Sequence, residues 1–323
     1  MSGKIICIGE ALIDFIPDRS GVFMKDVENF KRVCGGGPAN VAAAVARLGG
    51  NSALVAKVGD DSFGEYIRDK LSSCGVDTRY IFRTSEAHTT LAFVTLRADG
   101  ERDFSFYRNP GADMLLDSGD IAGIQDTLFT GAAALHFSTV DLIEAPVRYA
   151  TKKAIEMAKA RGLMISFDPN VRLPLWDDPE KCRQTVLDFL PYADIVKISD
   201  NEVEFVYGSD ADAALRKIME TAKLCFYTMG PGGARMIAGD IDITAPAYKM
   251  DAVDTTGAGD AFTGAMLHTL VEYSATREAI PFMPRESLVS CLDFAQKCAA
   301  YSVMGKGAID SYGTKSEICG YFG

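Results

Sequence analysis

Short β-rich runs alternate with helical patterns over most of this chain, and that alternation limits the fold more than any single motif. Ile5–Gly9, Ala53–Val58, Ala133–Phe137, Met164–Asp168, Ile195–Ser199 and Leu224–Met229 are apolar-rich runs of strand length, the pattern of strands buried on both faces. Pro38–Leu48, Phe63–Ser73, Pro146–Arg161, Glu180–Leu190, Asp212–Ala222 and Arg285–Met304 carry apolar residues at helical spacing. Strands separated by helices join a mostly parallel sheet with helices on both faces, and ligands then collect at the carboxyl ends of the strands. The expected class is α/β. One stretch breaks the rhythm: Thr89–Leu96 and Asp103–Tyr107 flank the polar segment Arg97–Arg102, a strand pair that must be antiparallel. With Phe15–Phe30 it forms either a small projecting sheet or an antiparallel edge of the main one. No low-complexity linker or internal repeat divides the chain, so residues 1–323 read as one domain.

Composition removes several classes of function. With 48% hydrophobic residues, 323 residues can bury a large core. A net charge of −11 argues against nucleic acid or an anionic membrane as the main partner. The chain enters a strand-like run by Ile5, so no leader peptide is expected, and no apolar run is long enough to span a bilayer. The eight cysteines show no C-x-x-C spacing, and most lie in apolar runs, as Cys7, Cys225 and Cys298 do. Buried free thiols in a reducing cytoplasm are expected. Three histidines without ligand spacing argue against a zinc site.

The chemistry concentrates in Asp254-Thr255-Thr256-Gly257-Ala258-Gly259-Asp260. Apolar residues recur at helical spacing directly afterwards, so a helix should begin near Gly257. Small residues let backbone N–H groups approach a ligand, and the free N–H groups and positive dipole end of a helix favour phosphate. Asp260 falls in the first turn. A carboxylate there is the wrong charge for a simple phosphate pocket, but suits taking a proton from a hydroxyl that attacks the phosphate. The plain alternative is a capped helix start with Asp260 as a dipole partner. A dinucleotide fingerprint lacks its third glycine here, and neither a P-loop nor a protein-kinase signature is present.

Upstream, Gly35-Gly36-Gly37-Pro38-Ala39-Asn40 opens the first strong helix. Its glycines let a polyol approach the backbone, and Asn40 offers both donor and acceptor; a flexible turn feeding a helix is the competing explanation. Asp14 sits among apolar neighbours, either hydrogen-bonded or reaching a ligand hydroxyl. Asp168-Pro169-Asn170-Val171-Arg172 and Ser199-Asp200-Asn201-Glu202-Val203-Glu204 each follow a buried strand at its carboxyl end, where they serve either a ligand or a helix cap.

With these motifs in this order, the chain resembles the ribokinase-like, or PfkB, family of sugar kinases from Ile5 to Ser311. Within that family it is similar to bacterial and plant fructokinases, through Gly9–Asp14, Phe106–Leu115, Asp168–Arg172 and Val196–Ser199. The resemblance implies a three-layer ribokinase-like α/β fold whose small β-sheet lid uses segments near 15–34 and 87–108, which favours the projecting sheet. It implies that Asp260 is the base, with Gly257, Ala258 and Gly259 supplying backbone donors to the transferred phosphoryl group. Asp14, Gly35, Gly36, Asn40, Asn170 and Arg172 would hold the sugar, covered by Phe104 and Phe106, with Arg108 as a further contact. Lys197, Thr228, Gly230 and Gly233 would line ATP, Asn201 and Glu204 would order Mg²⁺ through water, and Asp254, Thr256, Ser302, Gly305, Gly307 and Ser311 would ring K⁺.

Departures from family patterns narrow the acceptor. Ribokinases carry Asn where this chain has Leu12 and Lys where it has Gly37, so ribose is disfavoured. Gly111 replaces the serine of the fructokinase Asn-Pro-Ser-Ala motif, which weakens one minor sugar contact. The resemblance thus implies a cytoplasmic ATP-dependent kinase of D-fructose, acting at O6 or O1 with O6 favoured by the family. Arg108 and Arg172 keep a sugar acid, 2-keto-3-deoxygluconate, as the rival acceptor, and an aminoimidazole riboside is another. A non-catalytic sugar sensor would have lost Asp260 or Gly257–Gly259, and both are intact. Tyr107 and Ser105 should point away from the sugar, towards the lid of a second subunit in a homodimer.

Overall fold

A computed structural model describes residues 3–19, 21, 23–96 and 102–323, with residues 95, 96 and 102–104 described by their backbone alone. In chain order the strands are β1 (Lys4–Ile8), β2 (Leu12–Pro17), β3 (Phe30–Gly35), β4 (Ser52–Gly59), β5 (Ile81–Thr84), β6 (Leu91–Leu96), β7 (Arg102–Tyr107), β8 (Ala132–Ser138), β9 (Met164–Asp168), β10 (Ile195–Ser199), β11 (Leu224–Thr228), β12 (Ala234–Ala238) and β13 (Ile241–Ala245). The α-helices are α1 (Gly37–Arg47), α2 (Ser62–Ser73), α3 (Ser118–Leu128), α4 (Pro146–Ala160), α5 (Pro179–Phe189), α6 (Asp200–Tyr207), α7 (Ala211–Met219), α8 (Ala258–Glu272), α9 (Arg285–Ser302), α10 (Ala308–Ser311) and α11 (Lys315–Phe322).

The main sheet has the order β13-β12-β11-β10-β9-β8-β1-β4-β5. It is parallel from β5 to β11 and antiparallel across β11, β12 and β13. The buried strands sort their residues by period two. Ile5 and Cys7 of β1 face a core shared with α1, α2, α8 and α9, whereas Ile6 and Ile8 face a second core under α3 to α7. Strand order reverses beside β1, whose neighbours are β4 and β8, so the crevice at the carboxyl ends of β1 and β8 is the switch point where this architecture binds ligands.

The stretch that broke the rhythm is a separate four-stranded sheet, β3-β2-β6-β7, and not an edge of the main one. Residues 97–101 of the expected polar turn lie outside the described residues. The β12–β13 hairpin, α3 and α6 were not anticipated. β12 and β13 are short and partly exposed, so their apolar signal is weak. Among the described residues no helix is long and apolar enough to cross a membrane.

Helix α8 is buried from Asp260 to Val271 and packs between α1 and α9. Gly264 permits the α1 contact: a Cβ there would lie 2.6 Å from the Ala44 Cβ and 3.1 Å from the Val41 carbonyl oxygen. Gly264→Val should therefore destabilise the protein by about 1–3 kcal/mol through overpacking. An unchanged urea midpoint would show that the interface has slack.

Candidate active site

The first turn of α8 is built for close approach. Gly257 caps it with φ 76°, in the left-handed region where glycine is favoured, and a Cβ there would lie 2.5 Å from the Ala308 Cβ and the Tyr312 hydroxyl. No side chain caps the helix, while Tyr312 Oη donates to the Gly257 carbonyl at 2.9 Å and fixes the loop. Gly259 faces the Lys197 ammonium, 3.3 Å from where its Cβ would be. Lys197 is buried and paired with Asp168 at 3.1 Å. Burial works against its charge, yet Asp168 and Glu202 outweigh that and hold its pKa above the usual lysine value. Burial pushes Asp168 up to about 7 despite the same pairing.

Asp260 faces the other way. It is buried, and both of its oxygens accept from amides: Asn40 Nδ2 to Oδ2 at 2.8 Å and Asn170 Nδ2 to Oδ1 at 3.3 Å. Burial raises its pKa above the usual aspartate value, opposed by the Asn40 hydrogen bond and the charges of Arg172 and Lys197. A carboxylate so placed is a stronger base than an exposed one and has its lone pairs oriented.

The Gly35–Gly37 loop runs beside it. Gly36 has φ 107°, a Cβ on Gly35 would collide with the Asp14 carboxylate, and one on Gly37 would lie 2.7 Å from Asn170 Nδ2. Asp14, Gly35, Gly36, Asn40, Asn170 and Asp260 are thus brought to one place from four separate stretches of chain. Register puts Phe106 there too: it pairs with Ala92, which pairs with Asp14, so all three share a face of the second sheet. The Phe104 side chain lies outside the described residues. As expected, Tyr107 and Ser105 take the opposite face, where Phe93 stacks on Phe15 at 4.9 Å and meets Phe30 and Tyr107 edge-on at 5.4 and 5.3 Å.

On the far side of the α8 N-terminus lies a cavity of about 680 Å³, lined by Lys197, Thr228, Gly230, Gly233 and Gly259 and closed by Gln296 and Ala299 of α9 and by Val303 just after it. Asn201 and Glu204 are exposed on α6 and do not line this cavity, whereas Asp200 does. Asp254 ties two loops together, accepting from Thr256 N and Oγ1 at 2.8 and 2.7 Å and from Gly307 N at 2.9 Å. Gly305 packs on Ser311, while the Ser302 and Ser311 hydroxyls donate back to the carbonyls of Ala299 and Ala308. Among the described residues no three His, Cys, Asp or Glu side chains are grouped to hold a metal.

One expectation needs correction. Arg108 is no open fork: its buried guanidinium donates to Asp113 through Nε at 2.7 Å and to the Val140 carbonyl at 3.3 Å. At Gly111 a Cβ would collide with Thr90 Oγ1, so Thr90 fills the place of the missing serine. Sequence reasoning also missed Glu202, which accepts from Ser199 N and Oγ at 2.8 Å and from Val171 N at 3.0 Å. The S-x-x-E spacing from Ser199 was its visible signal. Glu10, Asp113 and Asp141 were missed as well.

A buried carboxylate beside a glycine loop, with a helix N-terminus leading to a cavity, is suited to moving a phosphoryl group onto a hydroxyl. The chain belongs to the pfkB family of carbohydrate kinases, whose model matches residues 2–315. It is 42% identical to fructokinase-1 of Zea mays over 317 residues, 97% of this chain and 96% of that one. The structure of the Xylella fastidiosa fructokinase with bound ATP matches at TM-score 0.90 and 35% identity, covering 99% of this chain and 98% of that one. A double mutant of the Vibrio cholerae O395 fructokinase, in its fructose, ADP and potassium ion bound form, matches at TM-score 0.87 and 29% identity over 100% of both chains. The protein is accordingly an enzyme, a carbohydrate kinase of ribokinase-like fold.

If Asp260 is the base, Asp260→Asn, which keeps the shape but removes the carboxylate, should lower kcat by about 10²–10⁴ with little change in sugar affinity. In the unmodified enzyme, activity should be lost as pH falls through the raised pKa of Asp260, placing the acid limb of kcat/KM above the usual aspartate value of about 3.9. A near-normal kcat for the variant would remove Asp260 from the mechanism.

Proposed function

We propose that the enzyme transfers the γ-phosphoryl group of ATP to O6 of D-fructose, giving fructose 6-phosphate and ADP. The observation that carries this is the Asp260 carboxylate, held by Asn40 and Asn170 between the Gly35–Gly37 recess and the α8 N-terminus. Asp260 takes the proton of the sugar hydroxyl as that oxygen attacks the γ-phosphorus, and the bond from phosphorus to the β–γ bridging oxygen breaks. N–H groups of the Gly257–Gly259 turn meet the charge that develops on the phosphoryl oxygens. Asp14, Gly35, Gly36 and Asn40 hold the acceptor. Lys197, Thr228, Gly230 and Gly233 line the ATP side.

Gly37 supports fructose over ribose, since a longer side chain there would displace Asn170. Arg172 acts on Asp260 electrostatically and is the observation that keeps 2-keto-3-deoxygluconate as a second reading, through its carboxylate. Asn201 and Glu204 would order Mg²⁺ through water near the nucleotide phosphates; their exposure and their side-chain oxygens suit that role. When bound the ion neutralises phosphate charge. For K⁺, the Asp254-bridged loops carry hard oxygen donors at Asp254, Thr256, Ser302, Gly305, Gly307 and Ser311, and they run directly into Gly257. In this reading the chain is one domain, residues 1–323, with the second sheet as its lid. The aromatic face of Phe15, Phe30, Phe93 and Tyr107 pairs with a second copy, and the eight thiols fit a reducing cytoplasm.

ATP consumption should be measured with fructose, 2-keto-3-deoxygluconate, ribose and an aminoimidazole riboside, each in potassium and in sodium. Fructose should give the highest kcat/KM, with a higher rate in potassium. A preference for the keto acid would replace fructose with the second reading, and equal rates in both salts would remove the K⁺ site. For the lid, Phe106→Ala should raise the fructose KM and increase ATP hydrolysis relative to sugar phosphorylation. Early melting with normal KM and tight coupling would make Phe106 a core residue instead.

A further inference from the structure

Behind the sugar loop lies a group of buried charges that the chemistry above does not use. Glu10 follows β1 and is 3% exposed, and Asp141, in the turn after β8, is 0% exposed. Glu10 Oε1 accepts from Gly37 N at 2.6 Å. Asp141 presses against Gly9, where a Cβ would collide with its carboxylate. Arg108 stands 3.9 Å from Asp141, but its short contacts go to Asp113. The Gly37 N–H bound to Glu10 is neutral, and on the other side of Gly37 stands Asn170, which donates to Asp260.

Three carboxylates, those of Glu10, Asp113 and Asp141, therefore share one guanidinium in the interior. Fully ionised, they would leave uncompensated buried charge, which a protein avoids by keeping a proton. Asp113 is the group saturated by Arg108, so the proton belongs to Glu10 and Asp141. Burial raises the pKa of both, that of Asp141 further. Among the described residues, Glu10 Oε2 and both Asp141 oxygens have no hydrogen-bond donor, which leaves them the atoms able to share it.

We infer that Glu10 is a positioning residue for sugar binding: it holds the Gly37 N–H, and so the Gly35–Gly37 loop against Asp14 and Asn170, while Asp141 in its acid form donates to Glu10. This rests on the reading that the recess beside Gly35–Asn40 takes the acceptor sugar.

Steady-state kinetics of the full chain, with fructose and ATP varied separately, test it. Glu10→Ala should raise the fructose KM by roughly 10- to 100-fold, the loss expected of a charged hydrogen bond, and leave the ATP KM near its original value. Glu10→Gln retains an acceptor for Gly37 and a donor for Asp141, and Asp141→Asn retains the donor to Glu10. Both should restore a fructose KM within a few-fold of the original. A Glu10→Ala enzyme with unchanged fructose KM, or with both KM values rising together, overturns the inference. So do Gln and Asn variants no better than Ala. If Glu10→Ala does not fold, the two isosteric variants decide alone: a tenfold sugar-specific rise in both counts against shared-proton positioning. An unmodified enzyme that fails to phosphorylate fructose would instead sink the functional reading on which this rests.

Discussion

The hydrogen bond from Asn40 to Asp260 joins residues 220 positions apart, and most of the site depends on it. It requires the first turns of α1 and α8 to lie side by side, which in turn requires the glycine at 264 and the small residues of α1 to let the helices approach closely. Given that approach, the loop entering α1 and the loop entering α8 present their backbones to one crevice. The first is a run of glycines packed against Asp14 and Asn170, and the second is an anion-favouring helix start. A single carboxylate stands where they meet.

Burying that carboxylate has consequences in the surrounding charges. Asp260, Asp168, Glu202 and Lys197 are each at least nine-tenths buried, so one buried ammonium faces three acids, with Arg172 adding its charge at Asp260. Glu202 remains readily ionised because Lys197 and the Ser199 and Val171 donors outweigh its burial, whereas Asp168 is pushed up to about 7 and Asp260 is raised. The groups thus divide: Glu202 orders the start of α6, Lys197 sits under Gly259, and Asp260 is left more basic than an exposed aspartate, as the proposed proton abstraction requires. A protein of net charge −11 can in this way present a locally favourable setting for phosphate.

Much of this was legible in the sequence because it is local. Strands buried on both faces announce themselves as apolar runs, so β1, β4, β8, β9, β10 and β11 were readable to within a residue or two, and Gly257, Asp260, Gly36 and Asn40 were marked by glycine-rich helix starts. What stayed hidden is set by tertiary contact. The pairing of Arg108 with Asp113 turns an apparent ligand arginine into a structural one, and nothing in the spacing tells a solvated guanidinium from a buried one. Glu10 and Asp141 meet only because β1 and β8 are neighbours. The β12–β13 hairpin escaped notice because its strands are short and half-exposed, leaving a weak period-two signal.

In the proposed mechanism Asp260 touches the acceptor hydroxyl while facing the phosphate across the α8 N-terminus. A crystal structure of the protein with fructose and a non-hydrolysable ATP analogue tests this most directly. The fructose O6 should lie within about 3 Å of Asp260 and in line with the γ-phosphorus, with Asn40 and Asn170 still bound to the carboxylate. Fructose bound with O6 directed away from Asp260, or the γ-phosphate away from Gly257–Gly259, would contradict it.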